Sequence, residues 1–163
     1  MKCPHCSGPL RIVSATETAP EWLIIARSYI GLKEIPGDED HPDIVMFHQS
    51  TSLKATDDET PWCSSFVNYC LRAAGMEFTG SAMAKSWSSY GDEVSLTDAR
   101  PGDIVVFGRA GDIRLHVGPG HVGFINEDGD GEFTVLAGNQ SNAVSLVKRS
   151  WSDVLTIRRP SFG

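Results

Sequence analysis

Hydrophobic residues follow a helical period in the first half of this chain and a strand period in the second, which limits the folds open to it. Before residue 91 the spacing predicts helices over 20–31, 41–49 and 61–74 and a short helix within 79–91. After residue 102 the apolar residues alternate, which predicts strands at about 103–107, 121–126, 132–137, 144–148 and 154–158. Helices followed by antiparallel strands indicate an α+β domain, in which the helices pack on one five- to six-stranded sheet.

Length and charge narrow the class of protein. The 163 residues, 40% of them hydrophobic, are enough for one core, and we expect a single folded domain over 19–163 after a tail over 1–18. No apolar stretch is long enough for a membrane span, so no membrane insertion is expected. A formal charge of −7 with no basic face argues against a nucleic-acid partner. We expect a monomer.

Cys63 is the candidate nucleophile. Thr60 is a suitable N-cap and Pro61 suits the first helical position, which puts Cys63 in the first turn of the predicted helix. Unpaired N–H groups there favour a thiolate and predict a lowered thiol pKa. The alternative is that Cys63 is a small core residue, as we expect for Cys70 in the middle of the apolar stripe. Seven helical residues separate the Cα atoms of Cys63 and Cys70 by roughly 10 Å, too far for a disulfide.

His121 and Asn139 come from two predicted strands downstream. His121 opens an alternating run after Gly120 and is a candidate general base and acid. The loop over 126–131 predicts a hairpin, which brings Asn139, at the end of the next strand, close to His121. The Asn139 amide would then accept the imidazole Nδ1–H and orient the ring. Gln140 could do this instead, and a surface histidine and a turn-forming asparagine remain open.

Four residues are candidates for substrate binding. Gly120 and Gln140 flank the predicted His and Asn positions, and Trp62 and Trp87 could wall a cleft beside them. Core packing is the alternative for both tryptophans, and residue-type preferences favour it.

The order of these motifs resembles that of the papain-like peptidoglycan hydrolases of the CHAP and NlpC type. The matching blocks are ETPWC (59–63), SW (86–87), PGDIVVF (101–107), GHVGF (120–124) and GNQ (138–140). The resemblance implies a papain-like fold and a cysteine hydrolase, either an endopeptidase or an N-acetylmuramoyl-L-alanine amidase. It would cleave amide bonds in the stem peptides or cross-links of bacterial peptidoglycan, as phage lysins do.

Carried onto this chain, the resemblance makes Cys63 the nucleophile, His121 the base and acid, and Asn139 the orienting residue. Many CHAP members place a glutamate two residues before that asparagine, whereas this chain has Ala137 there. The acidic run over 57–59 lacks the spacing of the family's calcium-binding variants, so no metal is expected there. We interpret these acidic residues as solvated charge and helix-dipole partners.

Cys3 and Cys6 resemble the first knuckle of a zinc ribbon. Structural zinc normally takes four ligands, and the chain contains no second Cys-x-x-Cys pair. His5, His41 or a partner chain could complete the site, but a vestigial tail or a redox-sensitive thiol pair is the favoured interpretation, and no cofactor is expected.

Two other functions stay open. One is an inactive adaptor that binds wall peptide or protein, and the other is a papain-like peptidase, deamidase or acyltransferase that acts on proteins. The tail over 1–18 has no hydrophobic signal core, which predicts synthesis in the cytoplasm. The protein would act on the wall after release or delivery.

Overall fold

The computed structural model describes residues 19–109 and 111–161, and in it three helices precede a sheet. The helices are α1 (Glu21–Ser28), α2 (Pro42–His48) and α3 (Cys63–Ala73). The strands are β1 (Asp92–Val94), β2 (Ile104–Gly108), β3 (Gly120–Glu127), β4 (Glu132–Gln140), β5 (Ala143–Ser150) and β6 (Val154–Arg159). Short 3-10 helices cover Ala84–Ser89, Leu96–Asp98 and Trp151–Asp153. The predicted α+β class is therefore confirmed.

All six strands form one antiparallel sheet in the order β1-β6-β2-β3-β4-β5. The β3–β4 hairpin and the other three predicted strands are present, with bounds that differ by a few residues. The sequence missed β1, because its three residues are too few to show alternation and two of them are exposed acids.

Helix α3 packs its apolar stripe against one face of the sheet. Phe66, Val67, Cys70 and Leu71 are fully buried and contact the strand residues that face the helices. Each buried side chain of this size stabilises the fold by about 1.5 to 3 kcal/mol. Cys70 is a core residue, as expected, and neither it nor Cys63 forms a disulfide.

A second apolar cluster covers the opposite face of the sheet. Val105, Phe107 and Phe133 belong to it, whereas Val106 faces the helices. This division follows from the alternation of side chains along each strand. Strand β2 is buried on both faces, which explains its almost continuous run of apolar residues.

The start of α3 differs from the prediction. The helix begins at Cys63, with Trp62 as its N-cap and without a capping side chain. Thr60 does not cap it, because its backbone N–H and its hydroxyl both donate to Asp57, the N–H at 2.6 Å. Pro61 lies before the helix rather than in its first turn. The predicted Thr60 cap was wrong, since a local turn at Asp57 holds this residue instead.

The acidic run before α3 is also less solvated than predicted. Asp58 is fully buried and accepts hydrogen bonds from the backbone N–H groups of Ile35 (2.8 Å) and His41 (2.9 Å). It therefore fastens the segment before α3 to the segment before α2. His41 is the N-cap of α2 and accepts from Asp43 N–H through Nδ1.

Trp62 and Gly138 set the distance between α3 and β4. Trp62 is fully buried, and its indole N–H donates to Glu34 at 2.7 Å. A Cβ on Gly138 would lie 2.5 Å from the Trp62 ring, closer than packed atoms allow. The bare α-carbon of Gly138 is therefore what lets the N-terminus of α3 approach β4.

Within residues 19–109 and 111–161, no helix combines the length and apolarity that crossing a membrane requires. The Cys3–Cys6 knuckle and the tail over 1–18 lie outside the described residues, so the predicted domain boundary stays a prediction.

We expect Gly138→Ala to destabilise the protein by about 1 to 3 kcal/mol, because the added methyl group would overlap the fully buried Trp62 ring. Urea unfolding of Gly138→Ala, Trp62→Phe and the double variant measures the coupling free energy between the two positions. The smaller ring should relieve part of the overlap, so the double variant should lose less stability than the two single losses combined. Additive losses would contradict the proposed contact.

Candidate active site

Cys63 is the first residue of α3 and is 4% exposed. Burial raises the pKa of its thiol, and the nearby backbone N–H groups of Val122, Ser64 and Cys63, with the charge of Arg109, only partly oppose this. The predicted lowering of the thiol pKa is therefore wrong for the free protein. The helix terminus acts in the expected direction, but removing the sulfur from water has the larger effect.

His121 lies next to the position where the thiol meets β3. The backbone N–H that approaches the sulfur belongs to Val122, the residue after His121. His121 itself is 7% exposed, and its ring stacks on that of Phe107, with centroids 6.3 Å apart. Burial lowers its pKa to about 4; a hydrogen bond with Gln140 acts in the opposite direction, and the charges of Arg109 and Arg149 add smaller contributions in the same direction as burial. The imidazole is thus neutral at neutral pH.

Gln140 supplies the amide that contacts the His121 ring. Its Oε1 lies 3.3 Å from His121 Nε2, while its Nε2 donates to the carbonyl of Ser145 at 2.8 Å. The second bond fixes which end of the amide faces the ring. An amide oxygen only accepts, so His121 Nε2 carries the proton and Nδ1 keeps its lone pair. The prediction that an amide accepts from Nδ1 was wrong, because the ring presents Nε2 to it.

Asn139 does not take the orienting position that the sequence predicted for it. Its φ is +58°, in the left-handed region, and the β4–β5 register shifts between Ala137 and Gln140. Asparagine tolerates this conformation better than most residues. Strands β3 and β4 pair Phe124 with Leu136. If this register continued without a shift, Asn139 would lie opposite His121. The bulge advances the chain by one residue, and Gln140 reaches the ring instead.

One candidate donor for an oxyanion is present beside the sulfur. The backbone N–H of Cys63 donates to no oxygen among the described residues, as expected for a residue at the first position of a helix. It can therefore stabilise a negative oxygen formed next to Sγ.

The two tryptophans proposed for the cleft are core residues. Trp62 and Trp87 are both fully buried, and the Trp87 indole N–H donates to Ser64 Oγ at 2.9 Å. A substrate cannot touch either ring without unpacking the core, so their assignment to substrate binding was wrong. Gly120 is a close-packing position, since a Cβ there would lie 2.9 Å from the Phe107 carbonyl oxygen.

Lys85 anchors the loop that leads into His121, a role that the sequence did not reveal. Its side chain is fully buried, and its ammonium donates to the Val117 carbonyl at 2.8 Å and lies 3.3 Å from Asp112 Oδ1. Ser88 adds a bond of 2.6 Å to the Leu115 carbonyl. A buried ammonium without these partners would be strongly unfavourable, so Lys85 holds the loop against the short helix.

The described residues contain no group of three or more His, Cys, Asp or Glu side chains that could hold a metal ion. A cavity of about 440 Å³ lies at the opposite end of α3, between Pro20, Trp22, Met76 and Arg159. No thiol or imidazole lines it, so the reactive groups are concentrated at the end of the molecule where Cys63 meets β3.

A thiol on a helix N-terminus, followed by an imidazole and an amide on neighbouring antiparallel strands, is the arrangement of the papain-like fold. Two solved structures share this fold. An NlpC/P60 family protein from Bacillus cereus is 18% identical with a TM-score of 0.55, over 88% of this chain and 40% of that one. The peptidoglycan hydrolase RipB from Mycobacterium tuberculosis is 17% identical with a TM-score of 0.53, over 87% of this chain and 65% of that one.

The CHAP domain model matches residues 55–139, which is more than half of the sequence. The chain therefore belongs to the CHAP domain family. The match includes Cys63, His121 and Asn139 and ends one residue before Gln140. No curated protein matches the chain.

The His121 pKa predicts how stability depends on pH. The folded-state pKa of about 4 lies below the ordinary 6.5, so the unfolded chain binds the proton first as pH falls. The stabilisation is complete above pH 6.5 and is lost as pH falls to about 4, a change of about 3 kcal/mol. We expect His121→Gln to lose this part of the pH dependence in urea unfolding, whereas exposed His116→Gln keeps it. Equal slopes in both variants would contradict the assignment.

Proposed function

We propose that this protein is a peptidoglycan hydrolase that cleaves an amide bond through a thioester on Cys63. Two contacts carry the proposal: the Cys63 sulfur lies by the backbone N–H of Val122, the residue after His121, and the His121 ring lies against the Gln140 amide. Membership of the CHAP domain family and the shared fold with RipB, a peptidoglycan hydrolase, support the choice of substrate. The chain spans 40% and 65% of the lengths of the two solved structures, so the activity of a whole relative is not carried over to it.

In the first step, His121 Nδ1 takes the thiol proton while the sulfur attacks the carbonyl carbon of the amide. The carbonyl oxygen becomes negative and accepts a hydrogen bond from the Cys63 backbone N–H. Gln140 Oε1 holds the ring through Nε2–H and stabilises the imidazolium that forms. The imidazolium then gives its proton to the leaving amine, the C–N bond breaks, and a thioester remains.

In the second step, water replaces the amine. His121 Nδ1 takes a proton from the water, whose oxygen attacks the thioester carbonyl, and the C–S bond breaks. The sulfur leaves and recovers its proton from the imidazolium, so the products are a carboxylic acid and a free thiol. Because burial keeps both groups neutral in the free protein, proton transfer accompanies the attack rather than preceding it.

The bond that we propose is in a stem peptide or a cross-link, cut by endopeptidase or N-acetylmuramoyl-L-alanine amidase chemistry, as in a phage-type lysin that reaches the wall after release. The proposed site is Cys63, His121 and Gln140, and Asn139 supports it through the bulge. A second candidate is the inactive adaptor, which the low exposure and raised pKa of the Cys63 thiol favour.

Digestion of purified peptidoglycan tests the proposal. Wild-type protein should release new amino groups, and Cys63→Ala should release none, because no other nucleophile replaces the sulfur. Cys70→Ala is the matched control, since it removes the other core thiol and should retain the activity. Digestion that survives in Cys63→Ala would refute the mechanism, and no digestion by folded wild type would favour the adaptor. Mass spectra of the fragments identify the bond.

A pair of substitutions tests whether Gln140 or Asn139 orients the His121 ring. Gln140→Ala should lower kcat by about 10-fold or more, since the ring loses the acceptor that fixes its tautomer. Asn139→Gly keeps the left-handed backbone and should change kcat much less. Steady-state rates on one soluble wall peptide provide the comparison. A larger loss in Asn139→Gly than in Gln140→Ala would restore Asn139 as the orienting residue.

A further inference from the structure

Two arginines lie near the imidazole, and one of them also near the thiol, in a chain that is otherwise acidic. The formal charge of the protein is −7, yet the charge of Arg109 acts on both Cys63 and His121, and that of Arg149 acts on His121. Neither arginine has a role in the proposed bond cleavage.

Strand geometry puts both guanidinium groups on the His121 side of the sheet. Phe107 pairs with His121 across β2 and β3, and Arg109 follows Phe107 by two residues, on the same face. The Arg109 backbone N–H donates to the Pro119 carbonyl at 3.3 Å, so the pairing of β2 with β3 extends as far as Arg109. Arg149 lies with its guanidinium carbon 4.2 Å from the centre of the Phe107 ring.

Neither guanidinium is neutralised by a carboxylate of the described residues. Arg109 is exposed, and its side chain makes no hydrogen bond or ion pair within residues 19–109 and 111–161. Arg149 is half-buried, and its Nε is a buried donor that has no partner in the part of the chain that the structure describes. Asp112, the carboxylate in the adjoining loop, is already held by Lys85 at 3.3 Å and by Arg114 at 2.7 Å.

The space next to Arg149 is large enough for part of a peptide. A cavity of about 710 Å³ lies between the loop after β2 and the end of β5, and its lining includes Gly108, Arg149 and the acids Asp112 and Asp153. Gly108 pairs with Gly120, the neighbour of His121 in the chain. The cavity therefore adjoins the end of the sheet that carries the imidazole.

We propose that Arg109 and Arg149 form a carboxylate-binding subsite, so that the preferred substrate carries a free carboxylate beside the amide that is cut. Guanidinium groups bind carboxylates through paired hydrogen bonds, and Arg149 is held ready by its contact with Phe107. The inference rests on the proposed function for the peptide substrate, whereas the anion preference rests on the positions of the two arginines.

Alkylation of Cys63 tests the anion preference without a wall substrate. Iodoacetate and iodoacetamide differ by one negative charge, and their rates on Cys63 are each divided by their rates on free cysteine. We expect the normalised ratio of iodoacetate to iodoacetamide to be about 10-fold in favour of the acid. Arg109→Gln and Arg149→Gln should each bring this ratio of rates close to one, and Arg109→Glu should bring the ratio below one.

Arg72→Gln is the matched control. Arg72 is exposed at the far end of α3 from Cys63, so its loss changes the net charge equally and should leave the ratio unchanged. A ratio near one in wild type, or a preference that Arg109→Gln does not alter, would overturn the subsite. Thermal unfolding of Arg149→Gln confirms that its effect is not loss of fold.

A second measurement separates failure of this inference from failure of the hydrolase proposal. On stem-peptide analogues with the carboxylate free or amidated, kcat/KM should favour the free acid about 10-fold in wild type but not in Arg109→Gln. Equal values for both analogues in wild type would overturn the subsite and leave the hydrolase intact. If neither analogue is cut, the hydrolase proposal fails and the alkylation ratio still decides the subsite. If neither reagent labels Cys63, the Cys63→Ala variant is titrated with N-acetylglycine and with N-acetylglycine amide. Equal binding of the acid and the amide would overturn the carboxylate-binding subsite.

Discussion

The close approach of the N-terminus of α3 to β4 is the contact on which the candidate site depends. Gly138 has no side chain, so the buried ring of Trp62 can lie against the strand, and Cys63 follows Trp62 directly. This brings the sulfur to the backbone of Val122, next to His121. A side chain at Gly138 would hold the helix away from the sheet and separate the thiol from the imidazole.

The same packing that brings the groups together also sets their protonation. Burial raises the pKa of the Cys63 thiol and lowers that of the His121 imidazole, so both are neutral in the free protein. In the mechanism that we propose, only the proton transfer that accompanies attack creates the charges. In that mechanism Gln140 stabilises the resulting imidazolium, and its own amide is fixed by the Ser145 carbonyl. The site therefore combines a protected resting thiol with a ring whose basic nitrogen is already defined.

The bulge in β4 and the loop before β3 give the site its particular form. The left-handed backbone at Asn139 moves Gln140 into the place opposite His121, and the buried ammonium of Lys85 holds the loop that leads into the same histidine. Both features were missed by sequence reasoning, because one extra residue in a strand reverses which side chains face the ring. Lys85 carries no local signal, since a lysine in a Ser-rich segment looks like an exposed residue.

The sequence by itself determined the class of fold, the order of the elements, and Cys63 and His121 as the candidate reactive pair. These follow from hydrophobic period, turn residues and helix termini, all of which are local properties of the chain. Only the tertiary structure decided that Gln140 rather than Asn139 meets the ring, that Trp62 and Trp87 are buried, and that Arg109 and Arg149 lie near the imidazole. Burial, bulge position and the distance between charges arise when strands and helices pack, so no local pattern encodes them.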